Sequence, residues 1–167
     1  MTLWLVGMMG TGKSSAGRLA AERLGVEFVD VDEAVASEVG MAISELWERL
    51  GEGEFRRIET AMIEQVAGTE AVVSTGGGAV LAAANRRRMR DTGRVVWLRA
   101  TPAVLDGRLD DAGDRPLLGG DSDRTNTITR LLEERSRAYE DAADYEIDTS
   151  PMSVEEVAMR IEQLWTL

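Results

Sequence analysis

A three-layer α/β/α fold around a five-stranded parallel sheet is the class this 167-residue chain predicts. Short apolar runs recur between helical stretches, which is the rhythm of a sheet covered on both faces. The first run, Leu3-Trp4-Leu5-Val6, is continuously apolar, as a strand buried on both sides should be. A glycine-rich turn then joins it directly to a helical stretch.

In chain order, the strand at 3–6 leads to a helix over 14–24, where Ala16, Leu19, Ala20 and Leu24 fall at helical spacing and Gly25 supplies the stop. The second run, 27–31, is followed by helices over 34–39, 43–50 and 54–66, the last two on either side of Gly51-Glu52-Gly53. The third run, 71–74, ends in Thr75-Gly76-Gly77-Gly78. Helix 82–90 carries Arg86-Arg87-Arg88, consecutive positions that point in different directions and read as solvated surface. The fourth run, 94–98, precedes a helix over 102–109; a helix over 127–140, the fifth run at 145–147 and a helix over 154–164 complete the chain. Residues 110–124 break the rhythm, being rich in Asp and Gly and enclosing Arg115-Pro116-Leu117-Leu118. A solvated connection fits that composition, and so does a mobile active-site lid.

The length suits one domain, 1–167, and 44% hydrophobic residues suffice for its core. With no cysteine and no histidine, thiolate metal sites, disulfides and imidazole bases are all excluded. Any metal is then a hard cation held by oxygens, with Mg²⁺ the natural candidate. A net charge of −11 argues against a nucleic-acid partner, which needs a basic face. No apolar run approaches a membrane span, and the chain enters its first strand without a basic leader. The expectation is a cytoplasmic monomer that acts on small molecules.

Lys13 is the only lysine, set among 18 arginines, and it lies in Gly7-Met8-Met9-Gly10-Thr11-Gly12-Lys13-Ser14. This fits G-x-x-x-x-G-K-[ST], the phosphate-binding P-loop, and so points to a P-loop NTPase fold with a nucleotide as the natural ligand. Gly10, Thr11, Gly12, Ser14 and Ser15 would cradle the phosphates at a helix N-terminus, Lys13 would reach the β- and γ-phosphates, and the Ser14 hydroxyl would sit on Mg²⁺. A glycine-rich turn with a surface lysine is the alternative, but average Gly and Lys usage yields such a match by chance in roughly one protein in a hundred or fewer.

The phosphoryl acceptor has to be read at the carboxyl ends of the other strands. Strand alternation would place Asp30 and Asp32 on one side near the loop mouth, one carboxylate near the Mg²⁺ water shell and the other orienting a substrate hydroxyl. Asp32 could equally cap a helix beginning at Glu33, and spacing alone leaves both readings open. Gly76-Gly77-Gly78 would expose backbone N–H groups to a small polar ligand. Ser74 or Thr75 stands where other P-loop proteins place a second metal-ordering carboxylate, so that task would pass to Asp30.

The intervening stretch adds Ile43-Ser44-Glu45-Leu46-Trp47 and Gly51-Glu52-Gly53-Glu54-Phe55-Arg56-Arg57-Ile58-Glu59. With the P-loop, the D-x-D, the triple glycine and the Arg-Pro-Leu-Leu lid, the chain closely resembles the shikimate kinase family from Leu3 to about Asp148. The resemblance implies transfer of the ATP γ-phosphoryl group to the 3-hydroxyl of shikimate. It implies that Asp32, Arg56, Gly77, Gly78 and Arg135 bind shikimate, with the two arginines on its carboxylate and Asp32 at the reacting hydroxyl. A region of about 32–60 would hold the acceptor, Glu59 orienting Arg56 while Trp47 and Phe55 wall the pocket. Arg115 would close over the phosphates, and Arg108 and Pro151 would flank the adenine. Trp47 where phenylalanine is usual, and Ala36 where glutamate is common, depart from the family pattern without removing a group the chemistry needs. A gluconate or nucleoside monophosphate kinase and a non-catalytic nucleotide-binding module are the rival readings.

Overall fold

A computed structural model describes residues 1–109 and 124–167. Its five strands, β1 (Thr2–Val6), β2 (Glu27–Asp30), β3 (Ala71–Ser74), β4 (Gly93–Arg99) and β5 (Tyr145–Asp148), form one sheet in the order β2-β3-β1-β4-β5. Every pairing is parallel. The central strand β1 sends Trp4 and Val6 to one face and Leu3 and Leu5 to the other, and all four are fully buried. At about 1.5–3 kcal/mol for each fully buried large apolar side chain, this strand alone anchors both layers.

Helices α1 (Lys13–Leu24) and α7 (Val154–Trp165) cover the Leu3 face through Ala16, Ala20, Val157 and Ile161. The opposite face carries α2 (Val31–Val39), α3 (Ile43–Val66), α4 (Ala83–Thr92) and α6 (Arg124–Ala142) through residues such as Val35, Ile63, Met89 and Tyr139. Helix α5 (Pro102–Leu109) joins α6 and Met8 and Met9 in a third apolar cluster. These are the three layers the alternation predicts.

Two differences from the sequence reading bear on the site. Helix α2 begins at Val31 rather than at 34, because the Asp30 carboxylate caps it by accepting from the N–H groups of Asp32 and Glu33 at 3.0 and 3.3 Å. Asp32 therefore neither alternates with Asp30 along a strand nor caps the helix; it lies in the first helical turn. The stretches 43–50 and 54–66 run together as α3, broken at Gly51, whose φ of 80° and ψ of 168° only glycine adopts readily.

The expected lid at 110–124 lies outside the described residues except for Arg124, which opens α6 and whose guanidinium donates to Asp106 of α5 at 2.6 Å. The Arg86-Arg87-Arg88 run is more structural than surface reasoning allowed. Arg86 donates to the carbonyls of Val80 and Leu81, and Arg88 pairs with Glu64 of α3 at 2.8 Å.

Candidate active site

A cleft of about 840 Å³ opens at the carboxyl ends of β1, β2 and β3, with the glycine-rich loop at its centre. Gly7 leaves β1 at a φ of 144°, and a Cβ there would lie 2.1 Å from the Leu98 carbonyl oxygen, so the turn is built for glycine. Gly12 adopts the left-handed conformation from which α1 starts. The Lys13 ammonium folds back to donate to the carbonyls of Gly7 and Met8, both at 2.9 Å, and is 8% exposed. Thr11 closes the same turn, its hydroxyl donating to Met8 O at 2.8 Å. Gly10, Thr11, Gly12, Lys13, Ser14 and Ser15 all line the cleft.

At the loop's edge the Ser14 hydroxyl donates to Asp30 Oδ2 at 2.6 Å and lies 3.3 Å from the Ser74 hydroxyl. One carboxylate and two hydroxyls, all hard oxygens, suit Mg²⁺, which keeps several waters and takes few protein ligands. Among the described residues no group of three or more carboxylates gathers, so a fully protein-built cage is not available there.

The acceptor end is built by α2, α3, α6 and the glycines after β3. Arg56 is clamped within its own helix: Nε and Nη2 donate to Glu52 Oε1 at 3.3 and 3.2 Å, and Nη1 donates to Glu59 Oε2 at 2.8 Å. Its guanidinium also lies 5.0 Å from the Phe55 ring and 5.8 Å from Trp47, two rings 5.7 Å apart. Arg135 reaches in from α6, almost fully buried, with Nη1 directed to Met8 Sδ at 3.8 Å.

The triple glycine is fitted to these side chains atom by atom. A Cβ on Gly76 would lie 2.5 Å from Glu59 Oε1 and 2.8 Å from Asp32 Oδ1, one on Gly77 3.4 Å from Arg135 Nη1, and one on Gly78 2.3 Å from Arg56 Nη2. Two carboxylates and two guanidiniums thus converge on three residues without side chains. Burial pushes the Glu59 carboxyl above its ordinary value, with Arg56 pulling against it and Asp32 adding to the rise. For Arg56, burial works against the charge, but Glu59 and Glu52 outweigh it and hold the guanidinium above its usual value.

At the other end Arg108 spans from the loop to the β5–α7 connection. Its guanidinium donates to Gly10 O at 3.3 Å, to the Thr149 hydroxyl at 3.1 Å and to Thr149 O at 2.8 Å. Pro151 does not join it: the chain turns there, Met152 N–H donating to Thr149 O at 3.2 Å, and Pro151 faces outward. Met152, Ser153, Val154 and Val157 form that wall instead. Arg115 lies outside the described residues.

The remaining sequence-predicted site residues, Asp32, Trp47, Phe55, Arg56, Gly77, Gly78 and Arg135, line the one cleft with the loop; buried Glu59 backs it through Arg56. Sequence reasoning assigned no task to Glu52 or Tyr139. The signals were there: Glu52 precedes Arg56 by one helical turn and Tyr139 follows Arg135 by one, so each shares a helix face with a predicted ligand.

The family model for shikimate kinase matches residues 9–165. The chain is 43% identical over 158 residues to the shikimate kinase of Thermodesulfovibrio yellowstonii, covering 94% of this chain and 90% of that protein. It is 44% identical over 158 residues to that of Geobacter sulfurreducens, covering 94% and 86%. Its fold matches the structure of the Acinetobacter baumannii shikimate kinase in complex with shikimate with a TM-score of 0.93 and 34% identity, over 99% of this chain and 92% of that one.

Proposed function

The chain belongs to the shikimate kinase family, and from that premise we infer that it transfers the γ-phosphoryl group of ATP to the 3-hydroxyl of shikimate, giving shikimate 3-phosphate and ADP. The observation that carries this reading is the convergence of Arg56 and Arg135 on Gly76-Gly77-Gly78 beside the P-loop. A guanidinium meets a carboxylate through paired hydrogen bonds, and two from different helices fix a small anionic acid in one orientation. No helix among the described residues is long and apolar enough to cross a membrane.

The roles follow from where the side chains stand. Glu52 on Nε and Nη2 and Glu59 on Nη1 hold the Arg56 guanidinium in one orientation in the cleft, where it would meet the substrate carboxylate. Asp32, within the same cleft as Ser14 and Lys13, aligns the 3-hydroxyl and receives its proton as the new oxygen–phosphorus bond forms. Lys13 and the loop N–H groups stabilise charge on the transferring phosphoryl group, whose loose transition state asks mainly for alignment and charge neutralisation. Mg²⁺, held by Ser14 directly and by Asp30 through water, would neutralise charge on the β- and γ-phosphates. Arg108 would lie against the adenine, in the cleft that Met152 and Val154 also line. Arg115, which lies outside the described residues, would add positive charge at the phosphates.

The test is ADP release measured with shikimate, gluconate and nucleoside monophosphates in turn. Turnover with shikimate alone is expected. Turnover with gluconate and none with shikimate would overturn the reading, and ATP binding without turnover of any acceptor under Mg²⁺ would leave a nucleotide-binding module.

A further inference from the structure

Tyr139 takes no part in the chemistry above, yet it is fully buried beneath the acceptor site. Its hydroxyl donates to the Gly77 carbonyl at 2.6 Å, and its ring stacks on Trp97 at 5.6 Å between centroids and 17° between planes. The neighbouring glycines are held by the short 3₁₀ turn Ala79–Leu81: Ala79 N–H donates to Gly76 O at 3.1 Å and Leu81 N–H to Gly78 O at 3.0 Å. The Gly77 carbonyl falls outside that ladder and takes the phenol. Burial pushes the Tyr139 pKa up to about 12, with Arg135 one turn back on α6 pulling the other way. The phenol is therefore a donor at every working pH.

In a trans peptide the carbonyl and the following N–H point in opposite directions. A Gly77 carbonyl drawn toward the core by Tyr139 turns the Gly78 N–H toward the opposite side, where Gly78 lines the cleft. We propose that Tyr139 is a positioning residue of the acceptor site, its hydroxyl fixing the Gly77–Gly78 peptide so that the Gly78 N–H faces substrate beside Arg56 and Arg135. Without it, two consecutive glycines could rotate this peptide at little cost. The inference rests on the acceptor-site reading given above, and it adds a second tie between α6 and the glycines besides Arg135.

Tyr139→Phe keeps the ring and its stack on Trp97 and removes only the donor. Losing one hydrogen bond to a buried carbonyl predicts a rise of roughly tenfold in KM for shikimate. The KM for ATP stays within about twofold, since the loop and Arg108 are untouched. A rise in both KM values together, or an unchanged KM for shikimate, overturns the proposal. A measurement on the unmutated protein stands beside the variant: the Gly78 amide signal in a proton–nitrogen correlation spectrum should move on adding shikimate alone, and a stationary signal also overturns it. If the chain phosphorylates gluconate instead, the same split of KM values measured with gluconate decides the Tyr139 assignment, so the two readings fail separately.

Discussion

Replacing Gly78 by alanine should disable the acceptor site while leaving the fold and the nucleotide site in place. Gly78 has a φ of −98° and a ψ of −2°, which alanine tolerates, so backbone strain does not enter. The added Cβ would lie 2.3, 2.7 and 2.8 Å from Nη2, Cζ and Nη1 of Arg56, where ordinary contact begins at 3.4 Å. The guanidinium must then retreat by about 1.1 Å. An untethered arginine would swing aside for little, but Arg56 is clamped by Glu52 on one edge and by wholly buried Glu59 on the other. A displacement of about 1 Å in a substrate-positioning group costs on the order of a hundredfold, or about 2.7 kcal/mol. The expected result in a coupled ADP-release assay is a fall of roughly that size in kcat/KM for shikimate, with the KM for ATP unchanged. Gly53→Ala is the control: it lies one turn from the same arginine, nothing lies within 4 Å of its Cβ position, and it should leave activity intact. A Gly78→Ala enzyme within about threefold of wild type would refute the claim that Arg56 is held in place by its two carboxylates.

Asp32→Asn should lower turnover by roughly 10²- to 10⁴-fold with ATP affinity near wild type by calorimetry, and wild-type turnover would remove Asp32 from its role. Lys13→Arg keeps the charge but replaces an ammonium that donates to two loop carbonyls at 2.9 Å by a broad planar fork. Turnover should fall at least about tenfold, and near-normal activity would count against the fit of that loop to lysine. Glu59 gives a pH signature: its carboxyl is raised in the folded chain, so the stability it contributes is complete below the ordinary value of 4.5 and is lost as pH rises through the raised value. Glu59→Gln should flatten the dependence of the melting temperature on pH just above 4.5, and an unaltered slope would contradict the assignment.

The layers and most of the cleft were legible because apolar runs and the P-loop carry their own periodicity and spacing. What escaped was decided by competition between local options. Asp30 both ends β2 and caps α2 by accepting from the N–H groups of Asp32 and Glu33, and that cap moves Asp32 from a strand to a helical turn. Pro151 is assigned to the adenine by resemblance, whereas the turn at Thr149 to Met152 leaves it exposed and Met152 and Val154 line the cleft. Glu52 contacts the Arg56 side chain and Tyr139 the Gly77 carbonyl; helical spacing places each on the face of a predicted site residue, but the contact itself is set by tertiary packing.

The single lysine has a use outside catalysis. An endoprotease that cuts only after lysine has one bond available in the whole chain, between Lys13 and Ser14, and would yield fragments of 13 and 154 residues. That bond joins a nearly buried side chain to the first turn of α1, so cutting requires the loop to open. Digestion would therefore report one opening event at one known place, read from a single new band, and its slowing by ATP would measure occupancy of the loop with no label attached.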